Sequence, residues 1–416
     1  MNGLTVDSRV AGASPLLFTF NQPPQQAFTL AYPTTPVGHP IWQIPTPALV
    51  INPRKAVANY QAIQRAFPDA TVGYTMKSNP NAMILDPIAR LEGSWFEVAS
   101  RPEIEVLARI GVGGDRVFYS NPVKQMSHIR AAIAGGVRLF AFDSASEVDK
   151  LAAFGLSLEV YVRMTVPHTG ALWPLTHKFG VEAHTAVELL EMARARGLKP
   201  VGLAFHVGSQ CVRPETWADA LRTVAPAWAE ARSRGIDLDL IDLGGGLPVA
   251  YTGPVPKPAD VAAAVYRVLG ETVPGAHRIL LEPGRSVSAS TSDMVLEVTG
   301  LAERPDGQTW LYLDGGVFSG LYEIPDGIRP AVRPILAEPR PLSMTTYRLA
   351  GPTCDSVDTL FEMRSPVELK VGDRLILKNT GAYVYGVGST FNGFSVPEVY
   401  EASEWTLDMD EFPGIC

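Results

Sequence analysis

The sequence predicts an α/β fold, a (β/α)8 barrel followed by a C-terminal antiparallel β domain, and three observations predict it. From about residue 54, short apolar runs alternate regularly with helical patterns. Eight strands, each flanked by a helix, over roughly 230 residues match the arithmetic of a closed parallel barrel. After about residue 290 the texture turns to short alternating strands separated by Pro- and Gly-containing turns, so an antiparallel sheet is expected there.

Taken in order, residues 1–40 are rich in Pro, Gln, Thr and Ser and read as a partly ordered extension. Residues 41–53 contain the apolar run Ala48–Ile51, read as a strand lent to the β domain. The barrel is assigned to residues 54–288, with strands at Thr71–Met76, Ser94–Val98, Arg116–Ser120, Arg138–Phe142, Ser157–Met164, Val201–Val207, Leu238–Leu243 and Arg278–Leu281. These runs are rich in β-branched and aromatic residues, and several are continuously apolar, as in a parallel sheet covered on both faces. Between them, Arg101–Ile110, Val123–Ala134, Ala145–Phe154, Ala186–Ala195 and Trp217–Ser233 space their apolar residues at helical intervals. Pro102, Pro122 and Ser144 mark helix starts, and Gly111, Gly135, Gly197 and Gly235 mark stops. An open doubly wound sheet competes with this reading. It would normally carry a G-x-G-x-x-G after its first strand, where this chain has Met76-Lys-Ser-Asn-Pro80. Residues 289–416 form the β domain, with strands at Met294–Val298, Thr309–Leu313, Thr346–Leu349 and Arg374–Lys378.

Composition narrows the function. The chain has 416 residues, 46% hydrophobic and 19% charged, enough for one large and one smaller core. A net charge of −8 without a long basic run argues against a nucleic-acid partner. The three cysteines, Cys211, Cys354 and Cys416, are too few and scattered for a disulfide framework or a zinc site, so no metal is expected. A reducing, cytoplasmic compartment fits that usage. No secretion signal is read at the N-terminus, and no apolar run reaches the ~18 residues that span a bilayer, so no membrane partner is expected.

In a barrel, the C-terminal ends of the strands face one shared site. Here they end in Lys77, Glu97, Arg163, Phe205-His-Val-Gly-Ser209, Asp242-Leu-Gly-Gly-Gly246 and Glu282-Pro-Gly-Arg285. Each has a plain reading. Lys77 alone could be a salt-bridged or snorkelling lysine, His206 a satisfied core histidine, and the glycine run a turn. Together they are more specific. Glycines let backbone N–H groups approach an anion, and an arginine beside a second such loop completes a phosphate site after strands seven and eight. A buried strand-end lysine has its amine pKa lowered by desolvation, as a covalent amine catalyst needs. A phosphate cradle, a reactive lysine and an acid at strand eight suggest pyridoxal 5'-phosphate. Lys77 would carry it, Glu282 would face the pyridine nitrogen, and His206 would lie against the ring. An acid at that nitrogen points to decarboxylation rather than racemisation.

These residues resemble the fold-type III pyridoxal-phosphate-dependent decarboxylases, the alanine-racemase-like barrels that include ornithine, lysine and diaminopimelate decarboxylases. The likeness is greatest to the ornithine/lysine enzymes. It spans roughly residues 45 to 400 and rests on Met76-Lys-Ser-Asn79, Phe96-Glu-Val-Ala-Ser100, Phe205-His-Val-Gly-Ser209, Asp242-Leu-Gly-Gly-Gly246, Glu282-Pro-Gly-Arg285, Gly351-Pro-Thr-Cys-Asp355, Gly381-Ala-Tyr383 and Phe391-Asn-Gly-Phe394. The resemblance implies that Ser209, Gly245, Gly246, Gly284, Arg285 and Tyr383 hold the cofactor, chiefly by its phosphate. Glu97 and Arg163 would also contact the cofactor, and Arg163 and Glu103 would support the lysine and the dimer-borne site. It further implies a homodimer with shared active sites, in which Cys354 and Asp355 come from the partner and Cys354 protonates the substrate's α-carbon. Taken by itself, Cys354 is as readily a small buried hydrophobe.

The substrate implied is a basic L-amino acid of the ornithine or lysine type, decarboxylated to a diamine as in polyamine formation. Glu323 and Asp355 match positions that grip a distal ammonium, with Tyr322 and Phe391 beside them. Glu323 stands where the eukaryotic ornithine enzymes carry aspartate, and one methylene shifts preference by only about 1–3 kcal/mol. A modified or carrier-bound diamino acid, a diaminopimelate enzyme and a non-catalytic cofactor-binding regulator are the alternatives.

Overall fold

The structure is a computed structural model that describes residues 31–32, 34–175 and 178–402. Sequence readings on residues 1–30 and 403–416 lie outside the described residues. Eight parallel strands close a barrel: Ala70–Thr75, Trp95–Val98, Val117–Tyr119, Leu139–Phe142, Glu159–Arg163, Lys199–Ala204, Leu240–Asp242 and Arg278–Leu281. Each pairs with the next, and the eighth returns to the first with Ile279 opposite Ala70. All eight overlap the runs expected from apolar patterning.

The inward face packs Phe118, Leu139, Ala141, Tyr161, Val201, Ala204, Leu240 and Leu280 into one buried cluster. Gly73 makes room for it, since a Cβ there would lie 2.4 Å from the Phe118 ring. Outside the barrel, helix Arg101–Arg109 starts at Ser100, whose Oγ accepts from the Glu103 N–H at 3.5 Å. Glu103 Oε2 in turn accepts from the Ala99 N–H at 2.6 Å. The first bond satisfies a donor that the helix start leaves free, and the second ties the residue before the cap to the same turn.

Some boundaries move, for local reasons. The helix expected from Val123 begins at Met126, because Lys124 turns inward. Its ammonium donates to the carbonyls of Asn121, Pro122 and Ala141, at 2.9, 3.1 and 2.5 Å, and its N–H to Glu147 at 3.2 Å. The stop read at Gly135 holds: the helix ends at Ala134 with Gly135 as its C-cap, and Gly136 beyond it takes the left-handed conformation at φ 97°. Three longer helices were not singled out in the sequence, Pro53–Ala66, Ala82–Ala89 and Pro258–Thr272. The second carries Pro87 in its interior, which obscures a helical pattern.

Beyond the barrel, a sheet runs in the order Val332–Ile335, Arg374–Leu377, Ser292–Glu303, Thr309–Leu313, Thr345–Ala350, Thr359–Ser365. Ala48–Ile51 joins it antiparallel to Ser292–Val295, as expected, and pairs in parallel with Glu398–Glu401. The sheet is mostly antiparallel, with a second parallel pair between Thr309–Leu313 and Thr345–Ala350. The long segment between those two strands is what permits it, since a parallel pair needs a crossover rather than a hairpin. No helix among the described residues is long and apolar enough to cross a membrane.

Candidate active site

The barrel topology turns strand ends into one rim. Lys77 lies in the 310 turn Met76–Ser78 that ends the first strand. That turn is tied to the β domain. Asn79 Nδ2 donates to the Gly381 carbonyl at 2.8 Å, and the Tyr383 N–H donates to the Ser78 carbonyl at 2.6 Å. Tyr383 sits in the left-handed region at φ 65°, unusual for an aromatic residue. Gly381 allows the close approach, since a Cβ there would lie 2.0 Å from the Ser288 carbonyl oxygen.

The Lys77 side chain is exposed to a cavity while protein surrounds its amine at longer range. The exposure describes access from the cavity, and the surrounding protein sets the electrostatics. Burial pushes the ammonium pKa down, as its strand-end place suggested, but Glu97, Tyr383 and Glu282 outweigh burial and the net shift is upward. The expectation of a depressed amine is therefore corrected. Glu97, buried at the end of the second strand, is pushed up to about 8 by burial, against the pull of Lys77.

His206 follows the sixth strand. Its Nδ1 accepts from the Gly208 N–H at 3.0 Å, so the neutral ring carries its proton on Nε2. Burial, with Arg163, Lys77 and His168, holds its pKa well below the usual histidine range. Asp242 ends the seventh strand and accepts from the Gly244 N–H at 2.8 Å. Burial and the adjacent Glu282 hold its carboxyl well above the usual range, so Asp242 keeps a proton and gives it to a hydrogen bond with Glu282. The glycines between them are required. A Cβ on Gly245 would lie 2.6 Å from the Glu282 carbonyl oxygen, and one on Gly246 2.4 Å from that of Gly208.

Arg285 opens the short helix Arg285–Ser288 and is the most constrained side chain of the site. It donates to Ser209 Oγ at 3.1 Å, to the Tyr251 hydroxyl at 3.0 Å, and bidentately to Glu323 at 2.6 and 2.7 Å. The Tyr383 ring lies 5.0 Å from the guanidinium carbon. The sequence suggested separate duties for Arg285, at a phosphate, and Glu323, at a substrate ammonium. The structure joins them in one buried pair.

A cavity of about 230 Å³ brings together Lys77, His206, Ser209, Gly245, Gly246, Glu282, Gly284, Arg285, Tyr383, Tyr322 and Glu323. Glu97 lies behind Lys77, and Arg163 and His206 border an adjoining space of about 290 Å³. Thr75, Trp173, Leu175 and Leu247 also line the first cavity without having been singled out in the sequence. Three further expected residues line neither space. Cys354, Asp355 and Phe391 are exposed on the β domain. Cys354 Sγ and N–H face Asn392 Oδ1, each at 3.4 Å, Asp355 Oδ1 accepts from the Val357 N–H at 2.9 Å, and Phe391 stacks on Phe318 at 4.3 Å. Their loop is held by buried Asp358, which accepts from the Thr353 hydroxyl at 2.8 Å and the Val317 N–H at 2.7 Å.

The donor set fits a phosphorylated pyridoxal. Lys77 offers an amine and Glu282 a carboxylate, while Ser209 and Arg285 with the glycine cradle suit an anion. Buried Thr75 Oγ1 and Glu97 Oε2 have no hydrogen-bond partner in the protein, as expected of groups that border a ligand.

Known proteins agree. Residues 54–289 match the family model described as pyridoxal-dependent decarboxylase, pyridoxal binding domain. The lysine/ornithine decarboxylase of Selenomonas ruminantium is 36% identical over 364 residues, 85% of this chain and 88% of that protein. The structure of lysine/ornithine decarboxylase complexed with putrescine from Vibrio vulnificus superimposes with a TM-score of 0.78 at 30% identity, covering 88% of this chain and 97% of that one. The Paramecium bursaria Chlorella virus arginine decarboxylase bound to agmatine gives 0.78 at 27% identity, over 85% of this chain and 95% of that one. The chain therefore belongs to the fold-type III pyridoxal-phosphate-dependent amino-acid decarboxylases and resembles their lysine/ornithine members.

Proposed function

We propose that this enzyme decarboxylates a basic L-amino acid of the ornithine or lysine type to its diamine, as a homodimer with shared active sites. The observation that carries this reading is a carboxylate, Glu323, in the same cavity as Lys77. A carboxylate offers about four lone-pair sites. Arg285 takes one on each Glu323 oxygen, which leaves acceptor capacity for a substrate ammonium. A distal carboxylate, as in diaminopimelate, would instead meet Glu323 acceptor oxygens whose facing Arg285 N–H groups are already engaged.

When bound, pyridoxal phosphate supplies the electron sink that lets the α-carbon lose CO2. The chain's own groups do the rest. Lys77 Nζ would hold the cofactor. Glu97, pushed up to about 8, can hand a proton to or take one from that Lys77 amine. The proton that Asp242 keeps orients Glu282 toward the ring nitrogen, and neutral His206 packs against the ring without adding charge. Ser209, Gly245, Gly246, Gly284, Arg285 and Tyr383 anchor the phosphate end. The partner subunit's Cys354 protonates the α-carbon, and the partner subunit's Asp355 joins Glu323 at the distal ammonium. The exposure of this chain's own Cys354 and Asp355, away from its cavity, supports that arrangement.

The test is CO2 release from ornithine, lysine, arginine, diaminopimelate and carboxynorspermidine. Ornithine or lysine is expected to lead. Flat results across the panel would overturn the assignment in favour of a modified or carrier-bound substrate.

A further inference from the structure

We propose that Trp173 is a specificity-determining residue, forming with Tyr322 an aromatic wall that receives the carbon chain and distal cation of the substrate. The proposal rests on the decarboxylase reading above and deepens its account of substrate choice.

Trp173 reaches the site through a two-stranded ribbon rather than a barrel strand. Ala171–Trp173 pairs antiparallel with Ser209–Cys211, placing Trp173 directly opposite Ser209, the residue that bonds Arg285. The register therefore places Trp173 beside the linked group of Ser209, Arg285 and Glu323. Successive residues of a strand face opposite ways. Trp173 lines the cavity that holds Lys77, while Leu172 lines an outer groove with Gln210 and Val212. The ribbon is thus a partition between two spaces. Its seat is tight: a Cβ on Gly208, at φ 95°, would lie 2.5 Å from Ala171 Cβ.

The Trp173 ring lies 5.9 Å from that of Tyr322, inclined at 58°, and Tyr322 immediately precedes Glu323. This pair stands beside a carboxylate that is already neutralised. Both Glu323 oxygens are engaged by Arg285, so the pair attracts a second cation less than a free carboxylate would. Aromatic faces attract cations through the ring quadrupole and also pack well against methylene chains. Burial keeps the Tyr322 hydroxyl protonated, so the wall is apolar and neutral. The remaining carboxylate lining the cavity among the described residues, Glu282, sits at the cofactor end. Chain length and cation are therefore read by the aromatic pair together with Glu323.

The test compares Trp173→Ala, Trp173→Leu and Trp173→Phe in the cofactor-loaded enzyme. Ala and Leu should each raise KM for lysine and ornithine about tenfold, with kcat within about twofold and the cofactor absorbance unchanged. Phe should recover most of the loss. Cadaverine binding measured by equilibrium dialysis should weaken by the same factor, independently of turnover. A Leu variant that binds cadaverine like the parent would overturn the aromatic role, as would a fall in kcat at constant KM. Parent enzyme that releases no CO2 from any basic amino acid and binds no diamine would instead sink the underlying function, and the proposal with it.

Discussion

The buried Arg285–Glu323 pair allows a quantitative test. Only 4% of the arginine side chain and 12% of the glutamate side chain are solvent-exposed, and two short charge-assisted hydrogen bonds join them. In Glu323→Gln the amide oxygen can keep one of these bonds, while its NH2 opposes a guanidinium N–H and the cation loses its counter-charge. Breaking a buried pair from one side costs about 3–5 kcal/mol, because it leaves an uncompensated charge rather than merely a missing bond. Ser209, Tyr251 and the Tyr383 ring still contact the guanidinium, so the lower figure, about 3 kcal/mol, is expected. The assay is urea unfolding at fixed protein concentration, which the proposed dimer requires. With a slope of a few kcal/mol per molar, the midpoint should fall by on the order of 1 M. It should fall equally in high salt, since screening acts on exposed charges far more than on buried ones. A shift below about 0.2 M, or one that 1 M salt removes, would refute the argument that this is a buried, interdependent pair.

The remaining predictions concern protons and the shared site. Glu97 is protonated in the fold up to about pH 8 against 4.5 for the free group, so between those values the folded chain binds more protons than the unfolded one. Stability relative to Glu97→Gln should therefore be greatest near pH 4.5 and fall as pH rises toward 8, a trend checked by urea midpoints across that range. Asp242→Asn copies a protonated acid, accepting from Gly244 and donating to Glu282, and should leave cofactor affinity within about threefold; Asp242→Ala, which strands buried partners, should cost about 1–3 kcal/mol by titration of cofactor binding. Lys77→Ala should abolish the visible absorption of bound cofactor and Cys354→Ala should slow turnover, yet mixing the two chains should restore about a quarter of parental activity, because half the dimers then hold one intact site of two. No recovery on mixing would place Cys354 in the same subunit as its Lys77.

How much of this was legible follows from what each residue depends on. Lys77, His206 and Glu282 could be read because a barrel converts the end of a strand into a place on one rim, and apolar runs mark strand ends. Asp242 stood out only as the start of the glycine run, and its role was not read. The glycines of 244–246 were legible for the same reason, and the structure adds what they avoid, the carbonyls of Glu282 and Gly208. Trp173 was not, because its place depends on antiparallel pairing between two loops far apart in sequence. Nor was the role of Asp358, a lone acid whose partners lie across the β domain. The helix start at Met126 was missed because no local pattern announces that Lys124 will bury its ammonium among carbonyls. The sign of the Lys77 shift was missed because burial can be guessed from a strand end, whereas the nearness of two carboxylates to one amine is set only by the closed barrel.

That last point bears on how the site is built. Three acids, Glu97, Asp242 and Glu282, lie close enough to perturb one another, the first and last also acting on Lys77, and three ionised carboxylates could not share so buried a space. The structure resolves the crowding by giving protons to two of them. Asp242 holds its proton toward Glu282, and Glu97 holds one until about pH 8. Glu282 thereby gains a fixed donor, and Lys77 gains a neighbour that can exchange a proton at about pH 8. At the other end of the cavity the same economy of charge recurs, with Glu323 balanced by Arg285. The site is thus nearly neutral at both ends, and the wall of Trp173 and Tyr322 between them faces whatever charge the substrate itself brings.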